Sequence, residues 1–238
     1  MPDDRSKSSL IAVANGSLTQ SKVDTFLADL KKRAPVSRGR LIFALDATAS
    51  RQPTWDAASA LTADMFREVG GIGGLEMQLV YYRGMGECKA SRWFSNSIDL
   101  TNAMTRIACV AGLTQIGKIR SQAQRETKLL KVSALVFVGD AMEENPDILV
   151  HAASELGRLS VPAFMFQEGN DRDVERTFRD IARLTKGAYC PFDAGSARQL
   201  GELLRAVAAF AAGGMKALEA RKDTGSVKLL GQMSARHP

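Results

Sequence analysis

Leu41 to Leu45 is an unbroken apolar run, and it ends on Asp46. A short run of this kind, apolar at every position rather than at alternate ones, reads as a strand buried on both faces of a parallel sheet. Val132 to Val138, interrupted only by Ser133, is a second strongly buried strand pattern, and it ends at Gly139-Asp140. Around these two strands, helical and strand patterns alternate. Helices are expected over Ser21–Arg33, Trp55–Val69, Ser97–Val110, Gln115–Leu130, Pro146–Leu159, Asp171–Thr185 and Ala197–Ala212. Further strands are expected over Leu75–Arg83, Ser91–Phe94, Val161–Phe166 and Ala188–Cys190, with Glu168 to Asp171 as a polar turn. Leu75–Arg83 and Ser91–Phe94 fit a hairpin or antiparallel edge around Gly84 to Lys89. Alternation of this kind predicts an α/β fold: a doubly wound, mostly parallel central sheet of about six strands with helices on both faces, Rossmann-like in layout.

The chain has 238 residues, room for one sizeable domain. Residues 1–18 read as a flexible N-terminal tail, 19–212 as the folded domain with a leading helix, and 213–238 as a basic, disordered C-terminal tail after Gly213-Gly214. No apolar stretch reaches the ~18 residues of a membrane helix. The N-terminus carries acids early and lacks the pattern of a signal peptide. Three widely spaced cysteines, Cys88, Cys109 and Cys190, make neither a zinc pair nor a disulfide framework. A cytoplasmic location is the resulting expectation.

The candidate site begins where the first buried strand stops. Asp46, Thr48 and Ser50 follow one another at alternate positions, at the carboxyl end of a strand, where open α/β sheets bind ligands. A carboxylate and two hydroxyls are hard oxygen donors, suited to Mg²⁺ (or Mn²⁺) rather than zinc. Thr114, in a loop entering a helix, and Asp140, at the end of the second buried strand, belong to the same rim if the crossovers bring the strand ends together. Each residue also has a plain structural reading. Asp46 caps the next helix, Thr48 and Ser50 satisfy loop amides, and Thr114 is an N-cap before Gln115. Glu143 and Glu144 either shape partner choice at the rim or match the N-terminus of the following helix.

Asp46-Ala47-Thr48-Ala49-Ser50, Thr114 within GLTQIG and Asp140 within VFVGDAMEEN together resemble the metal-ion-dependent adhesion site (MIDAS) of von Willebrand factor A, or integrin I-like, domains. Thr48 stands where that family usually has serine; it keeps the hydroxyl on a stiffer side chain. The resemblance spans about Gly39 to Ala212. It implies hydroxyl ligation of Mg²⁺ by Thr48, Ser50 and Thr114, with Asp46 and Asp140 acting directly or through water. It also implies that an acidic residue of a protein partner completes the coordination. Small intracellular bacterial members of the family act as scaffolds, some beside AAA-type ATPases, so a non-catalytic binding role is expected.

Two other classes stay open. Asp46-Ala47-Thr48 with Gly139-Asp140 loosely resembles haloacid-dehalogenase-like phosphotransferases, with Asp46 as nucleophile. Against that reading, Thr48 occupies the place of the second carboxylate of the usual acid/base pair. The formal net charge of +6, with Lys118, Arg120, Arg125, Lys128 and Lys131 on one helix, would suit a nucleic-acid-associated protein. No recognition motif or aromatic platform accompanies those cations, so nucleic acid is not the expected partner. Cys88 beside Lys89 has the setting for a lowered thiol pKa, but no histidine partner is evident.

Overall fold

A computed structural model describes residues 38–193 and 196–234. The expected N-terminal tail and leading helix lie outside the described residues. Six strands form one sheet: β1 (Gly39–Asp46), β2 (Leu75–Arg83), β3 (Glu87–Phe94), β4 (Ala134–Gly139), β5 (Ala163–Glu168) and β6 (Ala188–Phe192). Their order is β3-β2-β1-β4-β5-β6. All neighbours run parallel except β3, which returns antiparallel beside β2 at the edge.

Among the described residues seven helices lie between and after the strands: α1 (Gln52–Val69), α2 (Ser97–Met104), α3 (Ile116–Leu129), α4 (Pro146–Arg158), α5 (Arg172–Thr185), α6 (Ala197–Glu219) and α7 (Thr224–Ser234). Alternate residues of the buried strands feed two separate cores, because successive strand side chains point to opposite faces. On one face Leu41, Phe43 and Leu45 of β1 meet Trp55 and Met65 of α1 and Leu203 and Val207 of α6. On the other, Ile42 and Ala44 meet Ile119 of α3, Leu149 of α4 and Phe178 of α5. This double burial explains why β1 and β4 read as continuous apolar runs.

Helix starts follow local chemistry. The Asn145 side chain accepts from the amides of Asp147 and Ile148, with Pro146 in the first turn of α4. Asp171 does the same for α5, and Lys186 closes that helix in a left-handed conformation (φ 61°).

Three expectations need correction. The helix expected to run to Val110 stops at Met104. Beyond it the backbone satisfies its polar groups against strand ends instead: Val110 N–H donates to Ala47 O at 3.0 Å, and Gly84 N–H to Val110 O at 3.4 Å. Glu168, expected in a turn, ends β5 and is buried. The C-terminal segment is not a disordered tail up to residue 234. α6 passes through Gly213-Gly214 with a kink at Gly214 (φ 66°, ψ −161°). α7 then follows, with Leu218, Ser226 and Leu229 fully buried. Arg221 ties the turn between these helices to Glu68 of α1 and, at 2.8 Å, to Asp223. Among the described residues no helix is long and apolar enough to cross a membrane.

Candidate metal centre

β1 leads by one crossover to β2 on one side, while its other neighbour is β4, reached later in the chain. The gap above β1 and β4 is therefore the topological switch point, where the connections diverge and leave a crevice at the carboxyl ends of the strands. Asp46 ends β1 and Asp140 follows β4 directly. Leu45 pairs with Val138, which sets the two carboxylates side by side on this rim.

Asp46 is 3% exposed. Its Oδ1 accepts the Thr48 amide at 2.7 Å. Burial raises the pKa of Asp46, against the opposing pull of the Thr48 amide and hydroxyl; the negative charge of Asp140 raises it further. Burial is thus the largest influence on the central carboxylate. Tyr82, opposite Asp46 in the β1–β2 register, is fully buried. Its phenol faces the Asp46 carboxylate yet has no partner in ordinary hydrogen-bond geometry. Burial and the charges of Asp46, Glu144 and Asp140 push its pKa well up, so it stays a neutral hydroxyl.

Thr114 is buried, and α3 begins after Gln115, which occupies the N-cap position. Its hydroxyl accepts the Glu143 amide at 3.0 Å, and its own amide donates to Glu143 Oε2 at 2.9 Å. Glu144 accepts from the amides of Ile116 and Gly117, the latter at 2.9 Å. These two glutamates therefore serve the N-terminus of α3, not that of the helix which follows them. Carboxylates suit the partial positive charge of that helix end. Glu143 remains exposed at the rim and Glu144 half-buried. Ser50 is exposed in a 3₁₀ turn, Ala49–Arg51, that connects β1 to α1.

Asp46 thus bonds Thr48 and feels the charge of Asp140, Thr114 is tied to Glu143 in the loop after β4, and Ser50 is exposed in the turn after Thr48. No family model and no curated protein matches the chain. Among solved structures, a von Willebrand factor type A protein from Catenulispora acidiphila superposes with a TM-score of 0.58 at 18% identity, over 74% of this chain and 43% of that one. The fold is that of a von Willebrand factor A domain. The SpRpn10 VWA domain also superposes, with a TM-score of 0.53 at 11% identity, over 66% of this chain and 88% of that one. Proximal thread matrix protein 1 from the mussel byssus, in a structure with a zinc-occupied MIDAS motif, gives 0.55 at 16% identity, over 72% of this chain and 45% of that one. The chain spans less than half of the bacterial and mussel chains.

On this von Willebrand A fold the rim carries residues that the motif does not announce. Arg51, directly after Ser50, is 4% exposed. Its guanidinium lies 3.3 Å from Asp140 Oδ2 and also pairs with Glu168 at the end of β5. The Thr54 hydroxyl donates to the same Glu168 carboxylate. Arg51, Glu168, Thr54 and Tyr82 carry no motif spacing. What could have pointed to them is position alone: two follow the Asp46 turn, and two lie at strand ends on the same rim.

The residues present fit a divalent cation. Asp46 and Asp140 bring two carboxylates to the crevice, and Arg51 lies against Asp140 and Glu168. The donors are oxygen throughout. Among the described residues no group of three or more His, Cys, Asp or Glu is arranged to hold a metal ion. Any metal here would therefore depend on the hydroxyls of Thr48, Ser50 and Thr114.

Burial raises the thiol pKa of all three cysteines. Burial raises the Cys88 pKa despite the cations of Lys118 and Arg125, contrary to what the neighbouring Lys89 suggests. Burial, with the charges of Asp46 and Asp56, pushes Cys109 up to about 11.

Proposed function

We propose that this chain is a non-catalytic protein-binding module that uses Mg²⁺ (or Mn²⁺) at the β1/β4 switch point to hold an acidic group of a partner. Asp46 and Asp140 would supply charge, directly or through water, and Thr48, Ser50 and Thr114 neutral oxygens. The bound ion would act as a Lewis acid that captures a carboxylate. The observation that carries this reading is the Asp46 carboxylate, buried beside Asp140 with its pKa raised. A folded protein tolerates that cost where a cation offsets it in use.

The chain's own residues do the rest. The Thr48 amide orients Asp46, and the Thr114–Glu143 pair fixes the loop that borders the crevice. Thr48 in the second motif position, and the Arg51 guanidinium against Asp140, weigh against phosphoryl transfer through Asp46. The helix cations weigh little for nucleic acid, since Arg120 is bound to Glu155 at 2.7 Å and Lys118 to Gly86 O at 2.9 Å. We place the protein in the cytoplasm of a bacterium, with an AAA-type ATPase as the first partner to test.

The deciding experiment is affinity capture with purified chain in Mg²⁺, in chelator, and as Asp46→Ala. The reading expects acidic-motif partners to be retained only in the first case. Identical partners in all three would sink it. Phosphate-ester hydrolysis lost in Asp46→Asn would put the phosphotransferase in its place.

A further inference from the structure

We infer that Arg51 is a resident cation of this site that holds metal affinity down and so couples metal binding to the arrival of an anionic ligand. The inference rests on the metal-dependent function proposed for the same crevice.

Its guanidinium cannot wander. Arg51 closes the 3₁₀ turn after the motif, with its amide donating to Thr48 O at 2.9 Å. The side chain is buried, one Nη meets Glu168, and the other lies 3.3 Å from Asp140. Thr54 braces Glu168 from α1. Arginine keeps its charge at every physiological pH and forms its bonds as a planar fork. The consequence is a fixed positive charge touching one of the two carboxylates that a divalent ion needs.

Two effects follow. Asp140 donates less electron density to a metal while it serves Arg51. The guanidinium also repels the incoming ion across a partly dehydrated gap, where a unit charge a few ångströms away changes an ion's affinity by roughly tenfold or more. A carboxylate from a partner would restore the balance by lying against both cations. Metal and partner would then bind as a pair, each raising the other's affinity by the same factor.

The main variant removes Arg51 and Glu168 together, because deleting one member of a buried ion pair leaves the other less well compensated. The test is a titration of the full chain with Mn²⁺ alone, followed by calorimetry and by the electron paramagnetic resonance of free Mn²⁺. A circular-dichroism melt of each variant accompanies it. The double variant Arg51→Gln/Glu168→Gln frees Asp140 while leaving the net charge unchanged, and it should bind Mn²⁺ roughly tenfold more tightly than the wild type. Arg51→Lys, which keeps the charge, should stay within about threefold of the wild type. Glu168→Gln alone leaves Arg51 to Asp140 and should weaken Mn²⁺ several-fold, so the inference has an opposite-signed check if the double variant does not fold. Acetate should tighten Mn²⁺ binding in the wild type more than in the double variant.

Equal Mn²⁺ affinity in the wild type, the double variant and Glu168→Gln would overturn the inference and leave Arg51 as a structural ion pair. Absence of Mn²⁺ binding in wild type and double variant alike would instead bring down the metal reading itself.

Discussion

Thr114 and Glu143 hold each other by two hydrogen bonds. The Thr114 amide donates to Glu143 Oε2 at 2.9 Å, and the Glu143 amide donates to Thr114 Oγ1 at 3.0 Å. This reciprocal pair joins the loop before α3 to the loop after β4, and so fixes one wall of the crevice to another. Thr114→Val keeps the shape, strands the Glu143 amide and should cost about 1 kcal/mol. Thr114→Ser should recover most of it. Urea denaturation of the three proteins checks the order, and a Val variant as stable as wild type would contradict it.

Asp46 gives a prediction with a definite sign. Its pKa is raised in the folded chain, chiefly by burial. A raised acid favours its protonated form, so its stability contribution is fully present below the unfolded pKa and is lost as pH rises through the folded one. At neutral pH the ionised group therefore opposes folding of the metal-free protein. Asp46→Asn, whose amide oxygen can still accept from Thr48, should melt at a higher temperature than the wild type in chelator. The gap should widen from mildly acid to neutral pH. A variant that melts lower at neutral pH would show that the carboxylate is well compensated.

Glu126 behaves in the opposite sense. It is the hub of a polar cluster on the outer side of the sheet. It accepts from Trp93 at 2.9 Å, Gln78 at 3.0 Å, Gln122 at 2.9 Å and Arg40 at 3.2 Å. Partial burial pushes its pKa up, but those donors and the Arg40 charge outweigh it, and the net shift is downward. Its stabilisation is therefore present above the unfolded pKa and lost as pH falls through the depressed folded value. Glu126→Gln should lower stability at neutral pH by about 1–2 kcal/mol and flatten the acid side of the stability profile. Denaturant midpoints measured across the acid range test both statements.

The C-terminal helix is part of the fold. Leu229 is fully buried in the core formed with α6 and β6. Leu229→Ala should cost about 2–5 kcal/mol. A chain cut after residue 220 should be destabilised at least as much. Unchanged thermal melts would mean that α7 packs without supporting the domain.

Much of the fold is legible in the residues. β1 and β4 are apolar runs and β2 begins with strand-like alternation, and the acids that close β1 and follow β4 mark the rim by position alone. Thr114 is legible as a motif partner, but its tie to Glu143 is not, since the two are separated by a whole helix and strand. Arg51 and Glu168 stay hidden for the same reason: a buried ion pair between residues far apart in the chain leaves no local pattern. Ile107 and Ala108 keep helical spacing, which suggests a longer α2 than the chain forms. Yet Gly112 lies so close to Gly84 that an added Cβ would fall 2.2 Å from its carbonyl oxygen, which demands a loop there. Gly213-Gly214 has the composition of a helix stop, which suggests a free tail after it. At Gly214 the positive φ instead bends the chain back onto the core.

The central claim is that the β1/β4 crevice binds a divalent cation through Asp46 and Asp140. Calorimetric titration of Mg²⁺ and Mn²⁺ into the wild type, Asp46→Asn and Asp140→Asn tests it most directly. The prediction is saturable binding in the wild type, loss in Asp46→Asn and marked weakening in Asp140→Asn, with all three folded. Binding that persists unchanged in Asp46→Asn, or no binding by the wild type, would contradict it.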